Sequence, residues 1–301
     1  LIAFIDIEVS PQSKKITDYG AIRQDGASMH SNNRHDFINL LAGCDTLCGH
    51  NIIKHDLKFL QLSDHFSAID TLYLSPLLFP RKPYHRLLKD DKLQIDELNN
   101  PLNDAKKAQD LFYDEVAAWH KLPPRQKEIY ASLLEGSEEF CGFLHHVGIG
   151  ETIEHSLLPQ YIIEEYSGRI CTNANLAPII KHYPIELSYA LAIIGADDLM
   201  SLTPAWVLRT HPKVANVMHH LRNTPCGKCN YCISQLDAQQ GLKDFFGYNS
   251  YRLFDGKPMQ QETVEAALQG KSLLCIFPTG GGKSITFQVP ALMAGRSIHG
   301  L

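Results

Sequence analysis

The sequence predicts an α/β chain whose first part mixes strands with helices, whose middle is all helical, and whose last part runs strand, glycine-rich turn, helix. Three observations carry this. Up to residue 118, short apolar β-rich runs alternate with segments whose apolar residues recur at helical spacing. From 119 to 225 one helical pattern follows another, with Pro184 and Pro204 at helix starts or stops. From 241 to 301 a short aromatic loop, a helix and the apolar run LLCIF lead into FPTGGGKS, which opens a further helix. A cysteine-rich segment, 226–240, lies between the last two parts.

Taken in order, IAFIDIEV is a β-rich run, and KKITDYGAIR is a second strand closed by a turn at Asp25 and Gly26, so the two read as a hairpin. LCGHNIIKHDLKFLQ and AIDTLYLSPLLFP each pair a short apolar piece with a helical pattern, and NDAKKAQDLFYDEVAAWHKL is a longer amphipathic helix. PPRQKEIYASLLEGSEEFCGFLHHV and PIELSYALAIIGADDLMSL open the helical part, in which Tyr189 and Trp206 are expected core residues.

The 301 residues suffice for two or three domains, and 44% hydrophobic content is ordinary for a globular protein. No apolar stretch approaches the roughly 20 residues of a membrane span, and the apolar start carries acids where a signal peptide needs an uncharged core, so a cytoplasmic location is expected. A net charge of −5 does not advertise nucleic-acid binding. A site that holds divalent cations brings its own positive charge to a phosphate, however. The chain starts at Leu1 and stops within the apolar ALMAGRSIHGL, which reads as a fragment of something longer.

Asp6 and Glu8 stand two apart on the first strand and therefore share one face of the sheet. Two carboxylates on one face repel unless a cation lies between them. Around this pair come HNIIKHDLKFL, IDTLYL and NNPLNDAKKA, in that order. The ordered set resembles the DEDD exonuclease family over about residues 1 to 118. That resemblance implies an RNase H-like fold in which Asp6, Glu8, Asp56 and Asp104 bind two Mg²⁺ or Mn²⁺ ions, with His50, Asn51, Asp70 and Thr71 matching flanking positions. It further implies two-metal hydrolysis of phosphodiesters from 3′ ends of DNA, single-stranded ends being the expected substrate. The family's usual base is a His five residues, or a Tyr four residues, before the last Asp; here those positions hold Asn99 and Asn100, and an amide cannot take a proton from water near neutral pH. His85, in KPYHRLLKDDKL, is the expected substitute.

Of eight cysteines, Cys226, Cys229 and Cys232 fall in CGKCNYC, a spacing that turns consecutive thiols onto one ion. Three ligands do not close a zinc site. His220, with His219 beside it, is the nearest choice of fourth ligand, Cys171 the nearest upstream thiol and Cys275 the nearest downstream; an iron–sulfur cluster is the alternative to zinc.

FPTGGGKS places Thr279, Gly280, Gly281 and Gly282 before Lys283 and Ser284, so that backbone N–H groups can curl around phosphates while Lys283 adds charge and Ser284 can reach Mg²⁺. PTGGGKSITFQVPALM resembles the first nucleotide-binding motif of RecQ-type DNA helicases, a match covering about residues 242 to 301. The resemblance implies ATP binding on a RecA-like lobe, with Gln260, 23 residues before Lys283, on the adenine edge and Tyr251 or Phe246 packed near it. The insertion LFDGK departs from the pattern. No Asp-Glu-x-His motif occurs, so the lobe is expected to be incomplete, with LLCIF loosely packed and ATP binding poor. The leading expectation is a 3′–5′ DNA exonuclease joined to the front of a RecQ-like helicase, with a role such as DNA repair. A DNA-end-binding module with a decayed nuclease site is the alternative.

Overall fold

A computed structural model describes residues 1–62, 65–87, 100–149, 152–196, 203–222 and 226–299. The chain divides into two compact units, residues 1–158 and 159–301. No helix among the described residues is long and apolar enough to cross a membrane.

The first unit is built on a five-stranded mixed sheet. Its elements are β1 (Ile2–Val9), β2 (Ile16–Arg23), β3 (Ser28–Ser31), α1 (Arg34–Leu40), β4 (Thr46–Gly49), α2 (Asp56–Leu60), β5 (Ser67–Asp70), α3 (Thr71–Leu78), α4 (Pro101–Lys121), α5 (Pro124–Leu134) and α6 (Glu138–Val147). Strand order is β3-β2-β1-β4-β5, with β1 antiparallel to β2, β2 antiparallel to β3, and β1, β4 and β5 mutually parallel. The hairpin expected from sequence forms, and the turn at Gly26 (φ 95°) leads on into β3, an added edge strand.

Alternation along β1 sorts its side chains. Ala3, Ile5 and Ile7 face a core completed by Phe37 and Leu41 from the α1 side and Ile52, Ile53 and Leu60 from the α2 side. Phe4 faces the other way and meets Phe112 of α4, ring centroids 5.5 Å apart. Asp6 and Glu8 continue that second face, so they look toward α4.

Gly20 fixes where α4 begins. It lies opposite Asp6 in the β1–β2 register, and a Cβ there would stand 2.1 Å from the Leu102 nitrogen and 2.2 Å from the Pro101 carbonyl carbon. Only glycine lets the first turn of α4 cross β2 at this point, and that crossing carries Asp104 to Asp6. Backbone atoms cannot yield as a side-chain tip can. Gly20→Ala is therefore expected to destabilise the first unit by about 3 kcal/mol, and a denaturant midpoint equal to the parent's would contradict this packing. The N-cap of α4 is Asn100, whose Oδ1 accepts from Leu102 N at 3.0 Å.

The expected boundary at 118 falls inside α4, and α5 and α6 belong to the first unit. α6 lies directly on β5: a Cβ on Gly142 would meet the Ala68 carbonyl oxygen at 2.1 Å.

The second unit begins within α7 (Leu158–Glu165) and continues with α8 (Leu176–His182), α9 (Pro184–Gly195), α10 (Ala205–Thr210), α11 (Lys213–Arg222), α12 (Asn230–Gln235), α13 (Ala238–Phe246), α14 (Met259–Leu268) and α15 (Lys283–His299). Tyr189 is buried on α9. A small core of Ala238, Leu242, Tyr251, Val264 and Val289 joins α13, α14 and α15. The strand expected over LLCIF does not form. Residues 271–278 are irregular, with Leu274 90% and Ile276 80% exposed. A β-prone run needs a neighbouring strand to satisfy its backbone, and the described residues of this unit offer none.

Candidate functional site

The carboxylates of Asp6, Glu8 and Asp104 all lie within 4.8 Å of one another, each half-buried. Asp6 and Glu8 come from one face of β1, and Asp104 comes from the first turn of α4, set down by Gly20 and Asn100. An all-oxygen set of this kind suits a hard divalent cation.

Asp56 stands beside this trio rather than in it. β1 pairs with β4 only from Ile2 to Phe4; after β4 ends, the chain loops out and returns, so that Asp56 Oδ1 accepts from Ile7 N at 3.1 Å. Its carboxylate thus sits at the strand position between Asp6 and Glu8. Burial pushes its pKa up, opposed by His55 and by the Ile7 N–H.

The loop that delivers Asp56 is held by Asp70. That carboxylate accepts from Asn51 N at 2.8 Å, Ile53 N at 3.1 Å and Leu72 N at 3.0 Å, and it caps α3. Burial raises it to about 6, against the pull of those three donors. Thr71 bonds His50 Nδ1 at 2.9 Å. In this structure His50, Asn51, Asp70 and Thr71 therefore shape the backbone around the site.

His85 does not join the carboxylates. It is buried, its Nδ1 lies 2.8 Å from Ser75 Oγ, and burial depresses it to about 4, as burial does His50. The substitute base expected from sequence is thus enclosed beside Ser75 and is not a member of the carboxylate group. Asn99 lies outside the described residues. The imidazole sequence reasoning missed is His55, half-exposed, with Nδ1 3.6 Å from Asp56 Oδ2. Asp56 raises its pKa, and the charge of Glu8 adds to the effect. The signal was present in HNIIKHD, where a histidine directly precedes the motif acid.

In the second unit the glycine-rich loop is formed and braced. Gly280 and Gly282 have φ of 78° and 70°, values that L side chains rarely adopt. Gly281 N closes a turn onto Pro278 O at 3.0 Å, and α15 opens at Lys283. Thr279, Lys283 and Ser284 are exposed at that helix start, where free N–H groups and the helix dipole favour an anion.

Gln260 does not present its amide outward. It is 1% exposed; its Oε1 accepts from Arg252 N at 3.0 Å, and its Nε2 donates to Gly282 O at 2.9 Å. Arg252 Nη1 donates to Gly280 O at 3.1 Å. Tyr251 is likewise a core residue, its hydroxyl bonded to Ala238 O at 2.7 Å. In this structure Gln260 holds the loop from behind through Gly282 O, and Tyr251 packs with Leu242, Val264 and Val289. The LFDGK insertion is a tight turn, with Asp255 and Gly256 at positive φ, and it sets Phe254 against Phe277, ring centroids 5.1 Å apart.

Residues 257–299 match the DEAD/DEAH box helicase family. This helicase-like segment is about one seventh of the chain. Among curated relatives, the chain is 44% identical over 55 residues to a protein named as a probable ATP-dependent DNA helicase, RecS, of Bacillus subtilis, covering 18% of this chain and 10% of that protein. It is 44% identical over 50 residues to the ATP-dependent helicase SGS1 of Saccharomyces cerevisiae (17% and 4%) and 45% identical over 60 residues to the ATP-dependent DNA helicase RecQ of Haemophilus influenzae (20% and 9%). The chain thus spans a tenth or less of the length of these relatives. No solved structure matches it significantly.

The thiols of Cys171, Cys226, Cys229 and Cys232 also lie within 4.8 Å of one another. The fourth member of the group is Cys171; His220, the ligand expected from sequence, is not in it. Burial works against ionisation of Cys229, but N–H donors from Cys232 and Thr172 bring it down to about 6.

Proposed function

We propose that the first unit is a metal-dependent 3′–5′ exonuclease acting on DNA, physically joined to a RecQ-like ATP-dependent helicase motor that feeds it single strands. The observation that carries the nuclease reading is the meeting of Asp6, Glu8 and Asp104 within 4.8 Å, with Asp56 bound to the intervening Ile7 N–H. The order β3-β2-β1-β4-β5 around the acid-bearing central strand supports an RNase H-like arrangement. The match at residues 257–299 and the three helicase relatives support the motor reading, with ATP and Mg²⁺ at Lys283 and Ser284.

Asp6, Glu8 and Asp104 would hold one Mg²⁺ or Mn²⁺, and Asp56 with Asp6 a second. Metal held by these residues would supply a water of lowered pKa and positive charge for the phosphate and the leaving 3′ oxygen. The chain's own task is placement. The strand fixes Asp6 and Glu8, Gly20 and Asn100 fix Asp104, and the Asp70-clamped loop fixes Asp56. His55, half-exposed beside Asp56, can exchange a proton with solvent at Nε2 while its Nδ1 faces the carboxylate.

The experiment is degradation of single-stranded DNA carrying a 5′ label, with Mn²⁺, by the parent chain. A ladder shortening from the 3′ end is expected, absent when the 3′ end is blocked. A second reading, a DNA-end-binding module whose nuclease site has decayed, is favoured by Asn100 serving as a helix cap and by His85 being buried beside Ser75. Retention of the labelled strand in a complex with no shortening at any Mn²⁺ concentration would select it. Faster loss of an RNA strand than of DNA would overturn the DNA preference.

A further inference from the structure

We propose that Cys171, Cys226, Cys229 and Cys232 bind one zinc ion as a closed tetrathiolate site, which fixes the turn after α7 to the junction of α11 and α12. The separation of the thiols decides the type of centre. Four sulfurs held at ~2.3 Å from a single central ion stand about 3.8 Å from one another, and all four here lie within 4.8 Å. A [4Fe–4S] cluster attaches each cysteine to a different iron and a [2Fe–2S] cluster divides the four between two irons, and either spreads the set of sulfurs further apart than a single ion does.

The site is also built from its surroundings. Cys171 N donates to Leu221 O at 2.8 Å and Arg222 Nε donates to Arg169 O at 3.0 Å, so backbone and side-chain hydrogen bonds, independent of the thiols, dock the end of α11 on the Cys171 turn. Within CGKCNYC, Cys229 N donates to Cys226 Sγ and Cys232 N to Cys229 Sγ, both at 3.4 Å. N–H donors to sulfur favour the thiolate, the form a metal takes. Tyr231, Ala174 and Leu236 pack around the sulfurs and give the group an apolar wall. All four cysteines are free of disulfides.

On binding, four thiols release four protons and Zn²⁺ is enclosed as a centre of net charge −2. No coordination position is left for water or substrate, so the role is structural. Two residues, Leu236 and Asp237, separate α12, which carries Cys232, from Ala238, the start of α13, whose residues pack with Val264 and Val289. The staple therefore anchors the helical part to the helicase-like segment.

The test is metal analysis of the purified 301-residue chain, with cobalt(II) exchange as a second readout. One zinc per chain, no iron or acid-labile sulfide, and cobalt bands of a tetrahedral all-thiolate site are expected. Cys171→Ser should bind less than a tenth of the parent's zinc, and His220→Ala should keep all of it. Because Cys171→Ser can fail to fold, the cobalt spectrum of the parent stands by itself: bands of a mixed sulfur–nitrogen site, or none, would overturn the assignment. So would iron with sulfide, a Cys–Cys disulfide in the purified chain, or zinc lost from His220→Ala.

Discussion

Asp104→Ala and Asp6→Ala are each expected to reduce Mn²⁺-dependent DNA degradation on the order of a thousandfold or more while leaving the fold intact. Both residues belong to a trio of carboxylates within 4.8 Å, so each removal takes away a cation ligand and also relieves repulsion. Two half-buried like charges at that distance repel by about 1–3 kcal/mol at effective dielectric constants between those of the protein surface and water. In the absence of metal, the variants should melt at or above the parent's temperature. Added Mn²⁺ should raise the melting temperature of the parent and not of the variants. Low activity together with a lowered metal-free melting temperature would instead mark Asp6 or Asp104 as a structural residue.

Lys283→Ala is expected to weaken binding of a fluorescent ATP analogue by about 10- to 100-fold, the size of one charge-assisted phosphate contact. Lys283 is exposed at the start of α15, directly after a loop already shaped by Gly280 and Gly282 and braced by Gln260 and Arg252. Since the loop is held from behind, removing the ammonium should subtract its charge without collapsing the turn, and far-ultraviolet dichroism should be unchanged. An affinity equal to the parent's would mean that the nucleotide binds elsewhere. A parent chain with no measurable affinity would mean that the loop alone is insufficient and that the exposed LLCIF run must first gain a neighbouring strand.

The parts of the site that were legible in the sequence are those fixed by local geometry. Asp6 and Glu8 follow from a period of two on one strand, and the loop from Thr279 to Ser284 follows from residues that can adopt positive φ before a helix start. What was not legible depends on remote neighbours. Nothing near Gly20 in the sequence announces that α4 will cross it, yet that crossing sets Asp104 against Asp6. Cys171 has no spacing relation to CGKCNYC, and only the docking of its backbone on Leu221 brings it there, so the nearer His220 was the natural choice of ligand. His85 is the best local candidate that the run KPYHRLLKDDKL offers, but the fold buries it beside Ser75, and His55 occupies the place by Asp56. For LLCIF the loose packing was legible and the loss of the strand itself was not: the run has strand propensity and, among the described residues of its unit, no strand to pair with.

The central claim, that the first unit holds a two-metal nuclease site, is tested most directly by crystals of the chain soaked in Mn²⁺ and measured at the manganese edge. The account predicts two anomalous peaks about 3.5–4 Å apart, one among Asp6, Glu8 and Asp104 and the other between Asp6 and Asp56, both missing in Asp6→Ala. No peak at Asp6, or peaks that persist in Asp6→Ala, would contradict it.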